Sequence, residues 1–173
     1  MGATGTSRAA IALTGPVAGM GATTVAVNLA VGLAQRGMPT VLWDCADDRA
    51  ATRWLHLRGG VAGLEVRGGE EWEAKAAGGP AASLHVFDAP WPWLQERPTL
   101  GAELWVVVAL QETPRVLDQV KVMAAGGHPS GMPPLALLIP NQVRLEDWAT
   151  AEPLLTALAG AVGEERVATP VPT

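Results

Sequence analysis

The chain has 173 residues, 49% hydrophobic and 17% charged, enough apolar material to bury the core of a single domain over 1–173 and too much for a disordered segment. Its 12 Lys and Arg against 17 Asp and Glu give a formal charge of -5, which excludes sequence-independent grip on nucleic acid by this chain alone, because that binding rests on clustered cations releasing counterions. One cysteine, Cys45, and three scattered histidines, His56, His85 and His128, exclude a disulfide framework and give no metal-ligand spacing; a reducing cytoplasm is the expected location. The longest apolar runs, "LWVVVAL" and "LALLI", fall short of the roughly 18 residues a membrane span needs and read as buried strands. The start "MGATGT" formally fits a myristoylation pattern too short to carry an argument, and no basic region followed by an apolar one marks a secretory segment.

In chain order, "AAIAL" is a short apolar strand that ends in "TGPVAGMGATT", a glycine loop. "TTVAVNLAVGLAQRG" then sets Val25, Leu29 and Leu33 four apart on one helix face. Gly37 supplies a left-handed helix end, Pro39 blocks continuation, and "TVLW" is a second strand ending at Asp44. The middle is less regular: "DRAATRWLHL" fits a helix, and the glycine-broken stretch after it holds a short strand or loop around Leu64 to Val66 and one helical turn. The Gly-Pro segment at 78–80 is too short to separate domains. "SLHVFDAP" is a strand with Asp88 at its carboxyl end, and "ELWVVVALQ" is a continuous apolar strand of the kind covered on both faces. Thr113 is placed to cap a helix that begins with Pro114 and runs to Gly126 and Gly127. "PLALLIPN" is another buried strand, and a last helix spans about Thr150 to Val162, with Pro153 tolerable in its first turn only.

Strands alternating with helices predict an α/β fold: a three-layer, doubly wound, mostly parallel sheet with right-handed crossovers and helices on both faces. Such sheets place ligands outside the carboxyl ends of the strands. The glycine loop, Asp44, Asp88 and Asn141 all collect there.

Successive backbone N–H groups around Gly19 to Thr24 form an anion nest at a helix N-terminus, whatever side chains they carry. A Walker loop reads G-x-x-x-x-G-K-[ST], its lysine reaching the outer phosphates; here the lysine position holds Ala22. The same glycines admit a structural turn, and Asp44 and Asp88 a role as carboxylates at neighbouring helix N-termini. A dinucleotide-binding Rossmann turn is a further alternative, since Asp44 follows Gly19 and Gly21 at the right distance. Thr24 in place of the third glycine and the long lead from the first strand weigh against it.

These residues resemble the ParA/MinD group of deviant Walker P-loop ATPases, whose loop reads K-G-G-V-G-K-T-T-x-x-x-N-L-A. Here the stretch is "VAGMGATTVAVNLA", with Gly19, Gly21, Thr23, Thr24, Asn28, Leu29 and Ala30 matching. "VLWDCADD" resembles the family's switch strand, "VFDAP" its Walker B strand, and "LALLIPN" the strand that ends in asparagine, so the similarity is in register over nearly the whole chain. The resemblance implies ATP or ADP with Mg2+ as the ligand, held by Gly19, Met20, Gly21, Ala22, Thr23, Thr24, Asp44, Asp88 and Asn141, with Thr23 and Asp88 on the metal. The departures are specific: Val17 stands where the lysine that crosses the family's dimer interface belongs, Ala22 replaces the general P-loop lysine, and Ala46 replaces the second switch acid, with Asp47 one residue off. No residue is left to be named catalytic. A pseudo-ATPase serving as a regulatory or assembly subunit is therefore the expectation, with an active site rebuilt on Arg49, on Arg53 or on a partner's lysine as the alternative. The resemblance ends before the helices and strands with which the family continues, including the amphipathic membrane tail of MinD, so no membrane partner is expected. Val17, Ala18 and Met20, with Trp91 and Trp93 nearby and Asp47, Asp48 and Glu96 at the rim, are expected to make the switch face an apolar protein-binding surface for a homodimer or a hetero-complex with an intact relative; the alternative has both tryptophans folded back over the sheet.

Overall fold

Alternation along the strands decides which side chains enter each of two cores, since successive residues of a strand point to opposite faces. In the computed structural model, which describes residues 9–57, 59–72, 83–97, 100–125 and 135–172, the sheet order is β3-β2-β4-β1-β5-β6. The strands are β1 (Ala10–Thr14), β2 (Thr40–Asp44), β3 (Leu64–Gly68), β4 (Leu84–Asp88), β5 (Glu103–Ala109) and β6 (Leu135–Asn141), and every pairing is parallel. Leu13, Leu42, Val86 and Val107 face the helices α1 (Ala22–Gln35) and α2 (Ala50–Leu57). Ala12, Trp43, Phe87, Val106 and Val108 face the other way, toward α3 (Trp91–Gln95), α4 (Thr113–Ala124) and α5 (Trp148–Val162). The three-layer fold predicted from the sequence is therefore observed, with a wholly parallel sheet.

The helix α1 buries Ala26, Val27, Ala30 and Ala34 most deeply, leaving Val25, Leu29 and Leu33 partly covered at the edge of the same core. Small side chains at the centre of the stripe let the helix lie close to β1 and β4. It ends as expected, with Gly37 at a φ of 78° and its N–H on the Ala34 carbonyl at 2.9 Å.

Two local expectations change. Thr113 lies inside α4 rather than capping it: the N-cap is Glu112, no side chain bonds the free N–H groups, and the Thr113 hydroxyl is buried without a partner among the described residues. The last helix begins at Trp148, behind the 3-10 turn Leu145–Asp147, so Pro153 sits past the first turn, where its ring removes one i→i−4 bond. The predicted turn after β3 appears as a 3-10 turn at Gly69–Glu71. The 78–80 segment, Gly126, Gly127, His128 and the first six residues lie outside the described residues.

Beside β6 the segment after α5 runs parallel, Ala168 donating to the Leu138 carbonyl at 2.8 Å and Val171 to that of Pro140 at 2.9 Å. It covers what would otherwise be an open sheet edge. On the α3 side of β2 and β4, Trp43 stacks on Phe87 at 6.0 Å between ring centres, Trp72 stands edge-on to Phe87 at 4.9 Å, and the Trp43 indole donates to His85 Nδ1 at 3.0 Å. This buried aromatic layer fixes the strand ends that carry Asp44 and Asp88, which are register partners.

Candidate functional site

At the carboxyl end of β1 the chain turns through Gly15 to Gly21 before α1 begins. Gly19 and Gly21 take φ values of 87° and 86°, a region costly for any residue with a Cβ. At Gly21 the space is closed as well: a Cβ would lie 2.2 Å from Asn141 Nδ2. That amide reaches across from the end of β6 and donates to the Met20 carbonyl at 3.0 Å in a buried contact. The loop is thus held from outside, its backbone curved by the glycines and clamped by Asn141. Substituting Gly21→Ala is expected to lower stability by about 2 kcal/mol, combining left-handed strain of about 1–2 kcal/mol with a displaced hydrogen bond of about 1 kcal/mol. Equal melting temperatures for the variant and the parent would contradict this.

The loop forms one wall of a cleft of about 770 Å³. Gly15 through Thr24, Ala46, Asp48, Ala50 and Gln142 line it, and Asp88 through Pro92 close the far side. The Thr23 side chain is close enough to the Asp88 carboxyl to favour its ionised form, and Asp88 Oδ2 is buried without a partner among the described residues. Burial raises the Asp88 pKa to about 6; Thr23 opposes the shift and the nearby charge of Asp44 adds to it. Among the described residues that line the cleft, Asp48 and Asp88 are the charged ones and none is Lys, Arg or His.

Of the residues named from the sequence, the structure brings Gly19, Met20, Gly21, Ala22, Thr23, Thr24 and Asp88 together on the cleft wall. Asp44 and Asn141 stand behind it. Asp44 is fully buried, and its Oδ2 accepts from the Thr52 N–H at 2.8 Å and the Thr52 hydroxyl at 2.6 Å. The carboxylate therefore serves the first turn of α2, the helix-terminal role that the sequence left open. Its Oδ1 has no partner among the described residues.

Met20 corrects an expectation. It is 3% exposed, tucked beneath the loop so tightly that a Cβ on Gly15 would lie 2.8 Å from its own Cβ, so it adds nothing to an apolar surface. The tryptophans divide. Trp91 lines the cleft while packing partly on the core, whereas Trp93 folds back against Phe87, with the Arg97 guanidinium 4.3 Å from its ring centre.

Neither arginine considered for a rebuilt site lines the cleft. Arg49 donates to the Asp44 carbonyl and pairs with Glu70, and Arg53 pairs with Asp48 at 3.3 Å. Sequence reasoning missed Gln142, which reaches the cleft from a backbone with a φ of 57°. Nothing in a strand-ending "PNQ" signals a left-handed residue.

The nest and the two threonines suit the phosphates of a nucleotide. The unpartnered Oδ2 of Asp88, in the cleft wall with Thr23, suits an oxygen-seeking divalent cation such as Mg2+. Among the described residues no group of three or more His, Cys, Asp or Glu side chains comes together to form a metal centre of the protein's own, and no helix is long and apolar enough to cross a membrane.

No protein-family model matches the chain, and no curated protein matches it. Solved structures do. A nucleotide-binding protein from Archaeoglobus fulgidus, in complex with ADP and with cobalt present, superposes with a TM-score of 0.64 at 17% identity, over 94% of this chain and 81% of that one. The fold is that of the P-loop NTPases. The signal recognition particle receptor FtsY from Elizabethkingia anophelis superposes with a TM-score of 0.53 at 14% identity, covering 95% of this chain and 57% of the receptor chain. At these identities the likeness is one of fold.

Proposed function

We propose that the chain is a ParA/MinD-like nucleotide-binding protein without turnover, a pseudo-ATPase that acts as a regulatory or assembly subunit. The observation that carries this reading is a glycine loop held left-handed at Gly19 and Gly21 and clamped by Asn141, on a cleft that no Lys, Arg or His lines among the described residues. The backbone N–H groups of the loop bind and orient phosphate oxygens at the start of α1. Thr23 and Asp88 would hold Mg2+, whose charge would offset that of the phosphates. Phosphoryl transfer needs more, because it depends on positioning and on cations that act in the transition state, and losing one costs about 10^3- to 10^5-fold in rate. Val17 and Ala22 supply no such charge, and Ala46, on the cleft wall, has no group to orient a water.

A domain that binds without cycling is useful for its surface. Val17, Ala18, Pro90, Trp91 and Pro92 give the cleft an apolar rim, with exposed Asp47 and Glu96 in the adjoining segments. This face is where a second copy or an intact relative would dock, in the cytoplasm. The purified protein is expected to show no ATP turnover above a Thr23→Ala, Asp88→Ala control, and to sediment as a dimer or hetero-complex that Trp91→Ala shifts toward monomer. A clear rate abolished in the control would remove the pseudo-ATPase reading; a monomer both alone and with an intact relative would remove the docking role.

A further inference from the structure

We propose that the edge strand β3 is a self-pairing surface: two copies of the chain join antiparallel about Val66, with Glu65 of each copy opposite Arg67 of the other. Within the sheet β3 pairs with β2 alone. At the far end of the sheet the segment through Ala168 and Val171 lies along β6, whereas no described residue pairs with the outer side of β3. A strand edge whose N–H and C=O groups are unused is a template for another strand.

The ladder fixes which groups are on offer. Thr40, in register with Leu64, donates to the Gly63 carbonyl at 2.9 Å. Alternate residues of a parallel ladder turn to opposite sides, so Glu65 and Arg67 bond toward β2 while Leu64, Val66 and Gly68 turn their backbone outward. The Leu64 N–H is already taken by the Val61 carbonyl at 3.1 Å. Val66 is thus the central residue with both groups outward, and two copies related by a twofold axis there exchange two N–H···O bonds. Glu65 and the other copy's Arg67 then fall at non-hydrogen-bonded positions, where antiparallel strands bring side chains closest.

Charge selects this pairing over its rivals. Glu65 and Arg67 share one sheet face and touch within the strand at 2.6 Å, Glu65 being exposed and the Arg67 guanidinium lying 5.7 Å from the Trp43 ring centre. A twofold axis at Val66 makes two Glu–Arg pairs between copies. An axis at Glu65 or at Arg67 sets like charges face to face, as does parallel pairing in register, and like charges directly opposite destabilise a sheet. The helix α2 adds area, since it packs on α1 and β2 on the face that Leu64 and Val66 share. Its Trp54, 36% exposed, and Leu57, 84% exposed, lie three apart on one flank, and the axis brings both copies of α2 to the same face of one continuous sheet. Five strand residues and a helix flank fall short of the roughly 20 to 30 residues a side of a standard interface, so the pairing belongs to high protein concentration or to copies already held together elsewhere.

Sedimentation equilibrium of the whole chain carrying Trp91→Ala, which weakens the cleft-face contact proposed above, tests this from micromolar to millimolar concentration. The expected result is a monomer–dimer equilibrium whose dissociation constant rises about 10-fold or more in Glu65→Arg and in Arg67→Glu, each alone, and returns when the two variants are mixed. In the mixture a strand with two positive side chains meets one with two negative, and neither has a pair within itself, so only opposition between copies is restored. Deuterium exchange on the Trp91→Ala chain without further changes gives a second readout, the Val66 N–H gaining protection as concentration rises. No concentration-dependent association, no protection at Val66, or a mixture that associates no more tightly than its components would overturn the proposal, and none of these results touches the nucleotide reading.

Discussion

Replacing Asp88 by asparagine is expected to stabilise the nucleotide-free protein by up to about 3 kcal/mol at neutral pH. The carboxyl group is 3% exposed, and burial is the main reason that its pKa rises to about 6, with Thr23 pulling the other way and Asp44 adding repulsion. A folded pKa above the unfolded value means that the folded chain binds the proton more tightly. Stability is therefore highest below the unfolded value of about 4, falls as pH rises toward about 6, and is level above that. Asparagine has nearly the same shape, offers Thr23 an amide oxygen, and carries no charge to desolvate; its own burial makes the figure an upper bound. Urea denaturation in EDTA across this pH range is the measurement. A flat profile for the parent, or a less stable Asp88→Asn protein, would contradict the account. The same variant should lose its stabilisation by Mg-ADP, so a residue that costs the free fold stability is one that the proposed ligand requires.

The parts of this site that the sequence made legible are those set by neighbours in the chain. Gly19 and Gly21 mark a turn between a strand and a helix because left-handed backbone has few other residue choices, and Asp88 ends an apolar strand. The parts that were not legible depend on distant segments. The Asn141 amide is spent on the Met20 carbonyl across the sheet, a contact that no spacing rule contains. Met20 looks like a surface residue in a glycine loop, yet between the two left-handed glycines its side chain lies inward beside Gly15. Asp44 belongs to α2 because the loop after β2 carries Thr52 back over the strand end. In α1 the period was right and the depth was not: the sequence favours the large Val25, Leu29 and Leu33, whereas the helix approaches the sheet along its alanines. Hydrophobicity alone gives the face of a helix; size decides which residues lie at its centre.

Restoring the missing cation with Ala22→Lys is expected to raise affinity for Mg-ATP by roughly 10- to 150-fold, the equivalent of one charge-assisted contact of about 1.5 to 3 kcal/mol. Ala22 opens α1 and lies on the cleft wall, so a lysine stem has room to extend toward the phosphates without displacing the core residues Ala26 and Val27. A cation at a helix N-terminus is disfavoured by about 0.3 to 1 kcal/mol, but here it faces the Asp88 carboxylate, and the opposite charge should bring that carboxyl's pKa down from about 6. The variant therefore makes a paired prediction: tighter nucleotide, and a shallower loss of stability with rising pH than in the parent. It should also bind ADP measurably in EDTA, since the lysine takes over part of the neutralisation otherwise left to the metal. Turnover should stay absent, because Ala46 and Val17 are unchanged and one lysine does not orient the attacking water. Calorimetry with Mg-ATP decides the first half and urea titration the second. If the lysine left both affinity and pH profile unchanged, the loop would be a strand-to-helix corner shaped by its glycines for folding alone, and Asp88 would be a buried acid with no ligand to meet.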